Sequence, residues 1–365
     1  MSEKNNASIQ IDAAPMAQST GALLAWYDAH RRDLPWRGAG AYGVWLSEML
    51  LQQTRVEAGR GYYLRFMQAY PNANALAAAP LDDVLKLWEG LGYYRRARSL
   101  HKAACVMRDR FGGQVPDTYE ALMQLPGIGD YTAGAILSMA YNKPYPAMDG
   151  NALRVVARVC GVQQSIDAPA VRACVRALLC ECMDKARPGD YNQAIMDIGA
   201  GVCVGNAPAC DACPFAPHCR TRASGDFACI PKRAPKKSTP TLARWVLVLC
   251  NAKGEVWVRR RPEQGLLAGL WEFASGDLAA GETPQRAARA WLQAQGVADA
   301  KLFDYGDHKH VFTHVKWQMH IMGARIADGP ALVQGQWVDA SARARLTFPT
   351  AYKKACALAE EMQNI

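Results

Sequence analysis

Apolar positions follow two different rhythms along this chain. From Tyr42 to Val56, "YGVWLSEMLLQQTRV", they are almost continuous, and the stretch reads as a mostly apolar helix broken by one acid, Glu48. From Val115 to Tyr141, "VPDTYEALMQLPGIGDYTAGAILSMAY" reads as two helices around a tight hairpin. Asp117 and Glu120 fit a capping pair for the first helix. Pro126 ends it, and Gly127 and Gly129 supply unusual backbone angles. The second helix begins near Asp130, with Ala133, Gly134 and Ala135 small enough for close packing. In "YPAMDGNALRVVARV" (145–159) Leu153, Val156 and Val159 recur at helical spacing, with Asp149 and Asn151 at the start of the helix. Past residue 241 the rhythm changes. "RWVLVLCNAKGEVWVRRRPEQGLLAGLWEF" reads as strand, turn at Lys253-Gly254 and strand. "TPQRAARAWLQAQG" reads as a helix, and "HKHVFTHVKWQMHIMGARI" as further strands. The pattern predicts a mainly α N-terminal half followed by a separate α+β domain.

Length agrees, because 365 residues exceed one ordinary domain. The expected division is a disordered tail over 1–20, a helical domain over 21–221, a basic linker over 222–241 and the α+β domain over 242–365. The start, "MSEKNNASIQIDAAPM", lacks the apolar core of a signal peptide, and no apolar run approaches the length of a membrane span. A cytoplasmic location is expected. The formal net charge is +9, and residues 220–241 concentrate it, with six Lys/Arg against one Asp. Prolines 231, 235 and 240 mark that segment as a linker able to lie along phosphates. "YYRRARSLHKAA" (93–104) is a second basic cluster, equally readable as a solvated helix face.

Of twelve cysteines, eight are scattered and read as small buried hydrophobes. The others form "CVGNAPACDACPFAPHC", in which Cys203, Cys210, Cys213 and Cys219 follow a C-x6-C-x2-C-x5-C spacing. Prolines 208, 214 and 217 keep the loop out of helix, so four thiolates can converge on a metal centre. Zinc is the rival to an iron–sulfur cluster, although zinc ribbons usually use two separated C-x2-C knuckles.

The hairpin, Glu48 and Asp149 carry the candidate chemistry. A glycine turn before a helix N-terminus offers backbone amides to an anion such as a DNA phosphate. Glu48 sits among Trp45, Leu46, Met49, Leu50 and Leu51, where a carboxylate is costly and its pKa should rise. The plainer reading is a glutamate at the solvent edge of the helix. Asp149 reads as an N-cap, which is compatible with a catalytic role.

Together, "SEMLLQQT", "LPGIGDYTAGAI", the Asp149 segment, the cysteine loop and the C-terminal "GLLAGLWEF" resemble the MutY family of adenine DNA glycosylases. That family lies within the endonuclease III-like helix-hairpin-helix superfamily. The resemblance runs from about Ala22 to Phe348 and implies a six-helix barrel with a [4Fe–4S] loop, followed by a Nudix-like domain that recognises 8-oxoguanine. It implies that the hairpin also holds a monovalent cation. Bifunctional members of the superfamily carry a lysine where this chain has Tyr131, so a monofunctional enzyme is expected. Glu48 is then the general acid and Asp149 stabilises the oxocarbenium ion or captures it, with Tyr131 and Asn151 positioning them. Gln53 and Tyr93 match residues that enter the duplex, with Thr54 and Leu91 beside them. Arg32, Trp36 and Gln193 match the adenine pocket. Trp45 and Trp88 are expected in the core. Phe312, Thr313 and His314 replace the family's Phe-Ser-His loop, with a methyl added at Thr313. The Nudix-like helix, "RAARAWLQAQG", has no glutamates for magnesium, so nucleotide hydrolysis is not expected. His308, His310 and His314 lie close together, but alternating positions and the lack of carboxylates argue against a metal. The implied partner is duplex DNA with adenine opposite 8-oxoguanine or guanine, bound by a monomer associated with the nucleoid. The alternatives are an endonuclease III-like pyrimidine-lesion glycosylase and a non-catalytic iron–sulfur protein that binds DNA.

Overall fold

The computed structural model describes residues 9–235, 238–297, 300–327 and 334–364. The chain divides into two compact units, Met1–Ala78 with Ser99–Lys236, and Ala79–Arg98 with Lys237–Ile365.

The first unit is helical. Helix Gly40–Leu51 is buried from Gly43 through Leu50, so its apolar run reflects burial all round. It packs on Asp130–Tyr141, the second helix of the hairpin, which packs in turn on Pro188–Asp197. Gly134 permits a close approach there: a Cβ would stand 2.2 Å from the Pro146 carbonyl oxygen. Helix Gly150–Cys160 runs through the core formed with Ala14–His30, Pro169–Cys182 and Pro188–Asp197.

Several expectations need correction. Of the supposed tail over 1–20, residues 1–8 lie outside the described residues. The chain is helical from Ala14, because Met16 and Ser19 are buried against the core. The supposed linker over 222–241 is largely bound to the first unit: Ile230 is buried in its core, and Ser165 bridges Lys232. Two of its arginines are also engaged, Arg222 with Asp211 and Arg233 with Asp167, and just before it Arg220 pairs with Asp12. Thr118 caps the first hairpin helix in place of Asp117, which pairs instead with Lys143. Only Gly127 needs the left-handed region, with φ 83°; Gly129 is extended, with φ −113° and ψ −177°. Among the scattered cysteines, Cys229 is exposed.

The strands of the second unit are β1 (Thr241–Cys250), β2 (Val256–Arg260), β3 (Trp271–Glu272), β4 (Ala274–Asp277), β5 (Lys301–Val311), β6 (Lys316–Arg325) and β7 (Gln336–Val338). They form a sheet whose path is β3-β2-β1-β6-β5, with β4 added to β1 and β7 to β2. β1 and β6 are parallel, pairing Thr241 with Lys316 through Cys250 with Arg325. The continuous apolar run of β1 follows from cover on both faces. Val246, Val248 and Cys250 face a core shared with helix Lys353–Gln363, while Trp245, Leu247 and Leu249 face one shared with helix Pro284–Ala294. Segment 79–98, expected in the helical domain, belongs to this unit. Lys86 Nζ donates to the Leu346 carbonyl, Phe348 N donates to Glu89, and Arg98 Nη2 donates to the Ala268 carbonyl.

Candidate active site

In the first unit a cavity of about 540 Å³ is lined by Arg32, Trp36, Glu48, Gln53, Thr54, Tyr131, Asp149, Asn151 and Gln193, among others. These residues come from five separate stretches of sequence, which the helix packing brings together.

Glu48 is 8% exposed. Burial pushes its carboxyl up to about 7, against the opposing effect of a hydrogen bond from Tyr131, while nearby Asp149 pushes it further up. Tyr131 is buried and held well above the ordinary phenol range, by burial first and then by the two carboxylates. It therefore stays protonated and donates to Glu48. Asp149 caps helix Gly150–Cys160, accepting from Ala152 N at 2.7 Å. Its carboxyl is also raised by burial, but backbone and Asn151 hydrogen bonds and Arg154 hold it down. One carboxyl thus faces an apolar wall and a phenol, the other a helix N-terminus and a cation.

The cavity has supports that sequence reasoning did not name. Asp197 is buried and takes Arg32 Nε at 2.8 Å and Arg37 Nη2 at 2.7 Å, so Arg32 at the rim is fixed by an ion pair. Asn192 accepts from Ala147 N at 3.1 Å and donates to Ser138 Oγ and the Tyr145 carbonyl, tying the Asp149 segment to the hairpin helix. Arg154 Nη2 donates to Asn151 Oδ1 while its Nε donates to the Cys203 carbonyl. The available signal was polar residues inside apolar helices: Asn192 and Asp197 in "YNQAIMDIG", Arg154 and Arg158 in "ALRVVARV". Gln193 lines the cavity with its Nε2 donating to the Gly189 carbonyl.

Gln53 adopts a left-handed backbone, φ 57°, a sparsely populated conformation for such a residue. Tyr93, in the second unit, does the same at φ 49° and is half exposed. Its hydroxyl lies 2.9 Å from Thr313 Oγ1. Leu91 belongs to the same segment of that unit. Phe312 packs edge-on to His310 and Trp317, and His314 completes the turn between β5 and β6. Trp45 and Trp88 are fully buried core residues.

Cys203, Cys210, Cys213 and Cys219 line one small cavity whose walls include Val155, Val159, Ile198 and Phe215. Among the described residues no three His, Cys, Asp or Glu side chains converge on a single-ion site.

Residues 46–179 match the HhH-GPD superfamily of base excision DNA repair proteins, and residues 245–358 match a NUDIX domain. The chain is 36% identical to the human adenine DNA glycosylase, over 86% of this chain and 68% of that one. It is 33% identical to the mouse adenine DNA glycosylase, over 96% and 79%. The chain belongs to the adenine DNA glycosylases. Among solved structures, a thermostable thymine-DNA glycosylase superimposes with a TM-score of 0.54 at 26% identity, covering 58% of this chain and 100% of that one. A trapped endonuclease III–DNA intermediate, at 22% identity and a TM-score of 0.51, covers 59% and 99% and shares the helical fold. For an adenine DNA glycosylase the cavity is suitably equipped, with one carboxyl able to hold a proton near neutral pH and a second one close by.

Proposed function

We propose that this enzyme is monofunctional and excises adenine mispaired with 8-oxoguanine or guanine in duplex DNA. The observation that carries the reading is Glu48, buried and raised to about 7 beside Tyr131 and Asp149 in one cavity. Adenine leaves poorly unless it is protonated. Glu48 gives its proton to N7 of the flipped base. The C1′–N9 bond breaks, its electrons leave with adenine, and positive charge forms on the deoxyribose. Asp149 stabilises that charge or captures the sugar transiently. The Glu48 carboxylate then takes a proton from the water that attacks C1′, which restores the acid. Asn151 and Tyr131 position these groups. Tyr131 offers no amine for a Schiff base, which favours this reading over an endonuclease III-like lyase.

Arg32, Trp36 and Gln193 form the adenine pocket. Gln53 and Tyr93 enter the duplex where the base leaves it, and Thr54 and Leu91 touch the opposite base. Phe312, Thr313 and His314 meet the opposite base. Gly127 and Gly129 approach the DNA backbone, and the hairpin carbonyls hold a monovalent cation. Cys203, Cys210, Cys213 and Cys219 hold a [4Fe–4S] cluster. Support for the cluster is the C-x6-C-x2-C-x5-C spacing and the fact that all four cysteines line one small cavity whose other walls are largely apolar. When bound, the cluster supplies a rigid centre that orders its loop.

The test uses labelled duplex carrying adenine opposite 8-oxoguanine, under single-turnover conditions, quenched with and without alkali. Strand cleavage only after alkali, absent with cytosine in place of adenine and lost in Glu48→Gln, is the expected result. Cleavage without alkali would overturn the monofunctional reading, and full activity in Glu48→Gln would remove the proposed acid.

A further inference from the structure

We infer that Arg158 is the built-in counter-charge of the cysteine cavity; this rests on the proposal that the four cysteines hold a [4Fe–4S] cluster. Arg158 is 2% exposed and lies in the wall of that cavity. Its Nε donates to the Ile230 carbonyl at 2.9 Å, and Nη2 donates to the Phe227 carbonyl at 3.2 Å and to the Gly205 carbonyl. The guanidinium lies over the Phe227 ring, and Nη1 stands 3.5 Å from Cys203 Sγ. Among the described residues no carboxylate pairs with it: Asp211, on the same loop, is taken by Arg222.

Neutral carbonyls satisfy the donors of a guanidinium but leave its charge uncompensated. Burying an unpaired charge costs several kcal/mol, so such sites are rare without a nearby anion. The group closest to Nη1 that can supply negative charge is the Cys203 sulfur. Four thiolates around a [4Fe–4S] centre leave a net negative assembly, and Arg158 is placed to balance it. The two burdens cancel, since the cation needs an anion and the anion needs a buried cation. A brace between the Cys203 loop and the Ile230 segment needs only the hydrogen bonds. A counter-charge needs the positive charge itself, and the two roles separate experimentally. Arginine is also suited to both at once, with five donors in a planar fork.

The experiment compares purified full-length wild type, Arg158→Lys and Arg158→Gln for iron and sulfide content. It then follows bleaching of the cluster's visible absorption by ferricyanide. Lysine keeps the charge and loses most of the carbonyl bonds; glutamine loses the charge. The expected result is near-wild-type loading and bleaching in Arg158→Lys, with bleaching about tenfold faster or iron content sharply reduced in Arg158→Gln. Equal behaviour of the two variants, both like wild type or both impaired, overturns the inference in favour of a brace or no role. If Arg158→Gln does not fold, Arg158→Lys decides alone: loss of iron from it overturns the counter-charge. Wild type without about four irons per chain would instead remove the cluster reading on which the inference rests.

Discussion

In the proposed mechanism Glu48 sets how this enzyme responds to pH. With its proton as the proposed reagent and its carboxyl raised to about 7, the single-turnover rate should be flat below that pH and fall about tenfold per pH unit above it. The Tyr131 hydrogen bond lowers that value, so Tyr131→Phe should move the alkaline limb to higher pH. An unmoved or downward-shifted limb would show that another group controls the rate. Glu48→Gln should reduce the rate by at least about 100-fold. The same side chain affects stability. Its folded value lies above the unfolded 4.5, so its favourable contribution is complete below about 4.5 and is lost as pH rises through about 7. Glu48→Gln should therefore gain up to about 3 kcal/mol relative to wild type between pH 5 and pH 8. Denaturant melts at the two pH values measure this, and a gain independent of pH would count against the burial argument. At this scale the sequence was informative in part: an acid in "VWLSEMLL" stands either in an apolar wall or at the solvent edge of its helix, and the packing puts Glu48 in the wall. Asp197 and Asn192 were not legible, because their importance comes from partners 165 and 45 residues away in sequence.

At the scale of elements, what matters is how closely the hairpin helix and the Asp149 segment approach. Gly134 lets the Pro146 carbonyl lie against the helix, and Asn192 holds the backbone on either side of Pro146. Gly134→Ala puts a Cβ 2.2 Å from a backbone oxygen that has no flexible route away. It should destabilise the first unit by about 1–3 kcal/mol and shift Asp149 relative to Glu48, so activity should fall even where the protein is folded. Thermal melting alongside single-turnover kinetics checks both, and wild-type stability would show that the helix can slide. The hairpin itself was readable from Pro126, Gly127 and the apolar run after Asp130. The cap was misplaced because Thr118 and Asp117 are adjacent and both competent, and Lys143 is what draws Asp117 away. β1 was readable as a strand, but its parallel pairing with β6 was not, since a continuous apolar run does not name its partner.

At the scale of the molecule, the basic charge is less available than composition implied. Arg220, Arg222 and Arg233 are engaged with aspartates, and much of the expected linker is packed into the first unit. Affinity for undamaged duplex should still fall steeply as salt rises, but a log–log slope shallower in magnitude than about 5 is expected, because three of the arginines in the most basic segment are already paired with aspartates. Binding titrations between about 50 and 200 mM salt measure that slope, and a steeper one would show that the aspartate pairs open on DNA. The sequence alone determined the family, the two-part architecture, the N-capping aspartate and the spacing of the cysteine loop, because each depends on local spacing or on a residue type with few alternative roles. The tertiary structure alone decided that segment 79–98 joins the second unit, that residues 222–235 are tied to the first, and that Arg158 lies buried against Cys203 with no carboxylate partner among the described residues. Those facts depend on which distant surfaces bury one another, and a pattern of periodicity and spacing along one chain carries no distance between its parts.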